Sequence, residues 1–564
     1  MDILKTIGLR RTPQSRPATP EQVSNAAGGY TFSVADSARV HRFLTLGTDG
    51  GTYYTRAGEL TRDNAEAVLR AAAADPVGLV NQIVEVSEAG RAPKPNPALF
   101  ALAIAASVDD VEGRRAALAA LPRVARTGTH LFLFAGYVEQ FRGWGPTLRR
   151  AVGQWYTERP VDRLAYQLVK YRQRAGWTHR DLLRLASPAG TADPARRMAF
   201  NWATGKGLGD YAQAPARLTG AQLRAGQRTA GRPAVRAEVV PDELAVIADF
   251  EDAQAATAPA QWVEIIGRGH GLSWEMLPDA ALGEPAVWEA LIDHGVPQTA
   301  LMRQLPRLTR IGVLSGAVGE TVAAQLADPD RLVRARVHPV NVLVAQRTYA
   351  SGRGARGQAT WAPVARIADA LDAAFYAAYG AVRPAGKRTL LALDISGSMG
   401  MSVSGLPLTC REASAALALV TAATEPRHRV IGFTAGGRGF HHTAVTELDI
   451  GPRRRLDDVC RYTAGLPMGA TDCALPMVWA LQNRVEVDTF HIYTDNETWY
   501  GQIHPHQALQ RYREKMGIDA RLVVVAMTAT RNSIADPADP RQLDISGFDS
   551  AVPTLLADFS RGDI

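Results

Sequence analysis

The chain has 564 residues, 46% of them hydrophobic and 21% charged, a composition typical of a folded protein too long for a single core. It has no run of about 18 apolar residues, no secretory signal and only three cysteines, which argues against a membrane span, export or a disulfide framework. We therefore expect a cytoplasmic protein with reduced thiols. The net charge of +7 and pI near 9.3 suit an anionic partner, although a GC-rich genome would also enrich arginine.

Residues 1–375 are dominated by segments in which apolar residues recur three and four apart, with proline or glycine at the joins. Strand-like alternation is nearly absent from this region. Many short helices in succession predict an α-solenoid of the HEAT or armadillo type, and an irregular helical bundle is the alternative. Examples of these segments are LTRDNAEAVLRAAAADP, NPALFALAIAASV, VEGRRAALAALPRVA and DELAVIADFEDAQA.

The segment LVKYRQRAGWTHRDLLRL carries the densest group of basic residues in the helical region. Lys170 and Arg174 are four residues apart, so on a continuous helix they share one face. His179 and Arg180 follow the Gly-Trp break at residues 176–177. Such a basic helix pair would contact RNA phosphates, and His179 would donate to a phosphate or stack on a base. A solvated charged helix face is the alternative.

Residues 205–239 interrupt the helical pattern with a segment rich in glycine, alanine and arginine. Such a composition predicts a loop with helical fragments. An ordinary solvated insertion is the alternative interpretation.

Residues 376–564 have a different pattern, in which apolar runs of strand length alternate with helical segments. This alternation predicts βαβ units and a doubly wound, mostly parallel sheet covered on both faces. Ligands bind such sheets beyond the carboxyl ends of the strands. The strand-like runs are KRTLLALDISGSM, RHRVIGFTA, DTFHIYTDN and ARLVVVAMTA.

Three predicted loops at strand ends present oxygen ligands. Asp394, Ser396 and Ser398 follow the first strand, Thr471 precedes a helix, and Asp495 ends a third strand. Carboxylates and hydroxyls are hard ligands of the type that magnesium or manganese prefers. This pattern resembles the metal-ion-dependent adhesion site of von Willebrand factor A domains. A metal-free scaffolding site is the alternative.

Motifs along nearly the whole chain resemble the Ro autoantigen family, whose helical module is called TROVE. They include NAAGGYTFSV, RFLTLGTDGGTYY, RTGTHLFLF, RVHPVNVLVAQRTYASGRGARG, GKRTLLALDISGSM, GATDCALPMVWA and ADFSRGDI. The resemblance implies a HEAT-like α-solenoid ring closed by the A domain, with no catalytic activity. It also places Lys170 and Arg174 on the RNA-binding surface, whereas a further family histidine is Ser187 here.

The resemblance implies RNA partners of two kinds. Small non-coding Y RNA would bind the outer face, and single-stranded ends of misfolded or structured RNA would enter the central hole. Bacterial members are associated with RNA processing by an exoribonuclease such as polynucleotide phosphorylase, which would be reached through the RNA. Two other functions stay open: a metal-dependent protein-interaction scaffold using the adhesion site, and a metal-dependent phosphoesterase working at Asp394 and Asp495.

Three further residues are weaker candidates. Arg123 and Arg126 would lie near the ring opening and contact RNA, or they are surface charge beside a helix capped by Thr129. We expect His338 to be a hydrogen-bonded packing residue rather than a ligand.

Overall fold

A computed structural model describes most of the chain. It covers residues 11–47, 60, 65–188, 192–208, 240–354, 358–380, 382–403, 408–435, 444–451, 454–466, 468–528, 530–547 and 549–564. The chain forms two compact units. Unit 1 comprises Met1–Asp75, Glu85–Pro97 and Ala323–Ile564, and unit 2 comprises Pro76–Val84 and Ala98–Val322. The boundary at residue 375 that the sequence predicts between the two sequence regions stays a prediction.

The C-terminal region contains the predicted sheet. Its six strands are β5 (Thr389–Asp394), β6 (His428–Thr434), β7 (Ala444–Glu447), β8 (Thr489–Thr494), β9 (Arg521–Ala526) and β11 (Gln542–Ser546). They lie in the order β11-β9-β8-β5-β6-β7, and every neighbouring pair is parallel except the antiparallel edge pair β6-β7. This arrangement confirms the A-type domain expected from the sequence.

The central strands are apolar because the sheet is covered on both faces. All residues of β5 and β8 are buried, as are the last five of β9. Near-continuous hydrophobic runs of this kind are typical of strands packed between two helical layers. The helices of this region are α19 (Cys410–Thr424), α20 (Leu456–Ala464), α21 (Leu475–Gln482), α22 (Pro505–Met516) and α23 (Val552–Arg561).

The N-terminal region is mostly helical, as predicted. Its helices before residue 210 are α1 (Asp36–Leu46), α2 (Glu66–Ala74), α3 (Pro76–Glu88), α4 (Asn96–Ala105), α5 (Val111–Val124), α6 (Gly128–Phe141), α7 (Pro146–Thr157), α8 (Val161–Lys170), α9 (His179–Ala186) and α10 (Pro194–Ala203). After residue 240 come α11 (Ala245–Ala255), α12 (Pro259–Gly267), α13 (Pro285–His294), α14 (Gln298–Arg310), α15 (Ala317–Ala327), α16 (Pro329–Arg334), α17 (Pro339–Ala350) and α18 (Ala365–Ala377). The solenoid and its closure into a ring stay predictions.

The expectation that strands are nearly absent from this region is incomplete. The short strands β1 (Gln22–Ser24) and β2 (Tyr30–Ser33) pair antiparallel, and β2 also pairs with β10 (Asn532–Ser533). The N-terminal segment therefore forms a small sheet with a strand about 500 residues further along the chain in unit 1. Strands of three and four residues are too short for a period of two to be recognised in the sequence.

Three other expectations concern the insertion after residue 205, the cysteines and membrane-spanning helices. Residues 209–239 of the predicted insertion lie outside the described residues. The three cysteines are buried and unpaired, and no described helix is long and apolar enough to cross a membrane.

Candidate functional site

The predicted metal ligands meet at one edge of the sheet. Asp394 is the last residue of β5, and Asp495 directly follows β8. These strands are neighbours and parallel, so their carboxyl ends lie side by side. The third loop joins them through the main chain, because the Gly397 amide donates to the carbonyl oxygen of Gly469, two residues before Thr471.

Hydrogen bonds hold the first loop around the Asp394 carboxylate. One oxygen accepts from the Ser396 amide at 2.8 Å, and the other accepts from the Thr494 hydroxyl at 2.7 Å. The Ser396 and Ser398 hydroxyl oxygens are 3.1 Å apart. Sequence reasoning did not select Thr494, since a threonine at the end of a buried strand carries no signal of its own.

Two buried carboxylates in this cluster repel each other. Asp394 and Asp495 are 1% and 0% exposed. Burial and the neighbouring Asp495 charge raise the pKa of Asp394 to about 7. A divalent cation would remove this repulsion. No group of three or more His, Cys, Asp or Glu suited to a metal occurs among the described residues, so the hydroxyls of Ser396, Ser398 and Thr471 would complete the ligand set.

The prediction that Lys170 and Arg174 share a helix face is wrong. Helix α8 ends at Lys170, and Arg174 lies in β3 (Gln173–Arg174), which pairs with β4 (Trp177–Thr178). The two-residue turn between them has positive φ at Ala175 (51°) and Gly176 (81°), the conformation of a tight hairpin turn. The turn at residues 175–176 therefore overlaps the Gly-Trp break at residues 176–177 and begins one residue before it.

Lys170 is buried rather than presented to a ligand. Its side chain is 8% exposed, and its ammonium donates to the Tyr166 hydroxyl at 2.9 Å. The Glu275 carboxylate lies 3.8 Å from the same nitrogen. The tyrosine hydroxyl accepts the hydrogen bond and the Glu275 carboxylate balances the charge within unit 2, so a phosphate contact by this buried side chain does not fit the structure.

His179 is largely an interior residue and only borders the cavity that Arg172 and Arg180 also line, so its burial does not fit the expected direct contact with phosphate or base. It is 3% exposed and packs against the Phe132 ring at 4.7 Å between centroids. Its Nε2 lies 3.2 Å from the Gln167 carbonyl oxygen and its Nδ1 lies 2.8 Å from the Tyr156 hydroxyl. A carbonyl only accepts, so Nε2 carries the proton and Nδ1 accepts from tyrosine.

Burial lowers the pKa of His179 to about 4, although the hydrogen bond to the Gln167 main chain opposes this shift. The imidazole is therefore neutral at pH 7.

Exposed arginines remain around the β3-β4 hairpin. Arg172, Arg174 and Arg180 are all exposed, and the Arg172 guanidinium lies 5.1 Å from the centre of the Phe250 ring. Arg172 and Arg180 line a cavity of about 750 Å³ together with Trp202 and Phe250. Cationic and aromatic groups in one concave surface are the combination that binds single-stranded nucleic acid. Of the predicted RNA contacts in this segment, Arg174 and Arg180 keep a position from which they reach solvent.

The weaker candidates have separate outcomes. Arg123 is exposed and Arg126 is partly buried near the start of α6, whose cap is Thr127 rather than the expected Thr129. Their role in RNA binding stays a prediction. His338 is 3% exposed, and its Nε2 lies 3.0 Å from the Arg91 carbonyl oxygen, so the expectation of a hydrogen-bonded packing residue is confirmed.

Comparisons with known proteins agree with this architecture. Family models of the TROVE domain and of the Ro60 vWA domain match residues 23–348 and 388–560. The chain is 38% identical to RNA-binding protein RO60 of Deinococcus radiodurans, and the alignment covers both chains completely. It is 35% identical to RNA-binding protein RO60 of Caenorhabditis elegans, with 99% of this chain and 93% of the relative covered.

A solved structure extends the comparison. The crystal structure of the Deinococcus radiodurans RO (RSR) protein matches with a TM-score of 0.68 and 38% identity, covering 94% of this chain and 100% of the other. These matches define a class of protein in which a helical TROVE module precedes a von Willebrand factor A domain. Within that class, the chain belongs to the Ro60 family.

Proposed function

We propose that this protein binds RNA without acting on it as an enzyme. The observation that carries the proposal is the cavity lined by Arg172, Arg180 and the half-buried Trp202, with the buried Phe250 ring beneath Arg172 and the exposed Arg174 beside it. Arginine forms bidentate contacts with phosphate, and every base offers a face that stacks on an aromatic ring. Relatives along the whole chain are named RNA-binding proteins, which supports the same function here.

The RNA in this proposal is a small structured RNA. We infer that Y RNA and misfolded RNAs with single-stranded ends are the cellular ligands, and that the protein acts in RNA quality control and processing in the cytoplasm. An exoribonuclease such as polynucleotide phosphorylase would then join through the bound RNA. The family resemblance supports this finer assignment, and a cavity with an aromatic wall suits an unpaired base better than a base inside a duplex.

A charge-removal series tests the proposal. The triple variant Arg172→Ala, Arg174→Ala, Arg180→Ala should bind a hairpin RNA with a single-stranded 3′ extension more weakly than wild type. Each lost phosphate contact should reduce the slope of log affinity against log salt by roughly 0.7–0.9. The control is Arg303→Ala with Arg310→Ala, two exposed arginines of α14, compared with the triple variant per charge removed. Equal loss of affinity per removed charge in both variants would mean that general charge, rather than this cavity, binds the RNA.

We further propose that the sheet edge binds Mg²⁺ or Mn²⁺. Ser396, Ser398 and Thr471 would hold the ion with Asp394 and Asp495, directly or through water. The support is the pair of repelling buried carboxylates beside three hydroxyls. With most ligands neutral, the ion would keep positive charge and accept a carboxylate or phosphate oxygen from a partner. Titration calorimetry with Mg²⁺ on wild type and on Asp394→Asn tests this, because the variant should lose the binding heat.

A protein-interaction scaffold is the second candidate function. Met468, Trp499 and Tyr500 are 57%, 39% and 44% exposed, and the amides of Trp499 and Tyr500 donate to the Thr471 carbonyl at 3.3 and 3.2 Å. Exposed aromatic groups beside a cation would suit a protein bearing a carboxylate. RNA binding that survives EDTA, together with protein association that EDTA and Trp499→Ser both abolish, would support this second role. Protein association that is indifferent to EDTA would exclude it.

A further inference from the structure

The N-terminal segment of unit 1 packs directly behind the loops that carry the candidate metal ligands. We call residues 13–30 the N-terminal strap. One residue near its start, Gln14, is 0% exposed although glutamine usually lies at protein surfaces. A fully buried amide must have all its hydrogen-bonding groups satisfied to be tolerated. The partners of Gln14 therefore show what the strap does.

Gln14 joins two of the three ligand loops. Its Nε2 donates to the Asp472 carboxylate at 2.7 Å and to the Ile503 carbonyl at 2.8 Å. Its Oε1 accepts from the Thr498 hydroxyl at 2.5 Å. Asp472 directly follows the candidate ligand Thr471, and Thr498 lies three residues beyond the candidate ligand Asp495. One side chain thus connects the Thr471 loop to the Asp495 loop.

A second set of bonds connects the same two loops. The Thr498 hydroxyl, besides donating to Gln14, accepts from the Cys473 amide at 3.1 Å. Asn25 of the strap donates from Nδ2 to the Thr498 carbonyl oxygen at 2.8 Å. The main-chain N–H of Gln14 donates to the Gly501 carbonyl oxygen at 2.9 Å. Removal of the strap would take these partners away from the carbonyl oxygens of Thr498 and Gly501, while the bond between Cys473 and Thr498 would remain.

Two glycines allow this close approach. A Cβ atom on Gly29 would lie 2.0 Å from the Thr498 carbonyl oxygen. A Cβ atom on Gly501 would lie 2.3 Å from the Gln14 amide nitrogen and 2.4 Å from an Asp472 carboxylate oxygen. Any side chain at either position would push the strap and the loops apart. The double glycine in the sequence NAAGGYTFSV therefore has a structural reason at its second residue.

We propose that the N-terminal strap is part of the metal site and that Gln14 is its main positioning residue. The strap's hydrogen bonds described above reach Asp472, Thr498, Gly501 and Ile503, which are neighbours of the candidate ligands in the chain. It fixes the main chain next to Thr471 and Asp495, so that the hydroxyl and carboxylate converge before the ion arrives. Preorganisation of this kind raises affinity because less ordering is needed on binding. Linkage also requires that the ion stabilise the docked strap by the same factor. The inference rests on the proposed metal site.

The first test measures Mn²⁺ affinity of the full-length protein by calorimetry and by electron paramagnetic resonance of the free ion. Gln14→Ala should weaken the affinity roughly 10-fold, in the range of second-shell substitutions. Gly29→Ala should act in the same direction. The control is Gln542→Ala at the start of β11, whose amide bonds Asp536 and Asp539 and lies at the opposite end of the strands.

The second test needs no variant. Hydrogen exchange of wild-type peptides covering residues 13–30 should slow about fivefold or more when Mn²⁺ is added. The peptide covering β11 should not change. Wild type that binds no Mn²⁺ would overturn the metal site and this inference together. Wild type that binds the ion, with equal affinity in Gln14→Ala and no change in strap exchange, would overturn this inference alone.

Discussion

A substitution at His179 tests whether this side chain belongs to the protein interior or contacts RNA. We consider His179→Gln, which keeps a donor and an acceptor but removes the ring and its titration. In the folded protein the ring donates to the Gln167 carbonyl and accepts from Tyr156, and its pKa lies at about 4. In the unfolded chain the ordinary value is 6.5. The two states therefore differ in bound protons between these pH values.

The size and sign of the effect follow from the two pKa values. Below pH 6.5 the unfolded chain takes up a proton that the folded protein accepts only near pH 4, so acidification favours unfolding. The contribution is nearly absent at pH 7 and reaches about 2 kcal/mol of lost stability at pH 5 for one such group. Wild type should lose this amount between pH 7 and pH 5, and His179→Gln should not lose it. The variant itself should be less stable at pH 7 by roughly 1–3 kcal/mol, because it disturbs a buried hydrogen-bonded ring.

Native-state hydrogen exchange of the α9 peptide measures this difference locally, which suits a protein with two units that does not unfold in one step. Exchange rates are corrected for the intrinsic rate at each pH. The destabilisation caused by His179→Gln should shrink by about 2 kcal/mol from pH 7 to pH 5. RNA affinity per folded molecule should be unchanged at pH 7. A destabilisation that is independent of pH, or a loss of RNA affinity in the folded variant, would refute the interior assignment.

Three further predictions concern charged groups. Lys170→Met should keep RNA affinity whereas Arg174→Ala lowers it in the same binding assay, since only the arginine is exposed. Arg91→Ala should reduce the stability of unit 1 by roughly 1.5–3 kcal/mol in urea unfolding at pH 7, because the buried Asp549 then keeps His41 but loses its charge-assisted bonds to arginine. Mg²⁺ at 100 times its dissociation constant should stabilise wild type by about 2.7 kcal/mol in thermal unfolding and leave Asp394→Asn unaffected.

The sequence was most informative about the candidate metal ligands, because they follow the ends of predicted strands. The sequence predicted a mostly parallel sheet with Asp394 and Asp495 at strand ends, and the structure shows that these two strands are neighbours whose carboxyl ends meet at one edge. Residue type and position along the strand were therefore enough to bring the candidate ligands together. The strap could not be predicted in this way, because Gln14 bonds Asp472 across 458 residues of sequence separation. Nothing local marks a glutamine as a partner of a distant loop.

The predicted RNA-contacting residues show where inference from the sequence failed. A spacing of four residues indicates a shared helix face only while the helix continues. Here α8 ends at Lys170, and a turn at Ala175 and Gly176 reverses the chain. An Ala-Gly pair between Arg174 and Trp177 is a weak hairpin signal, so helical periodicity outweighed it. Burial of His179 also depends on aromatic rings contributed by other helices, which the sequence of α9 alone does not reveal.

The most direct test of RNA binding is sequencing of the RNA crosslinked to this protein in cells, with the variant lacking Arg172, Arg174 and Arg180 as the matched comparison. We expect wild type to enrich small structured non-coding RNAs and RNAs with single-stranded ends, with crosslinks in the peptides that contain Trp202 and Phe250. The variant should lose this enrichment. A wild-type profile that matches total cellular RNA, with crosslinks elsewhere in the chain, would contradict the account.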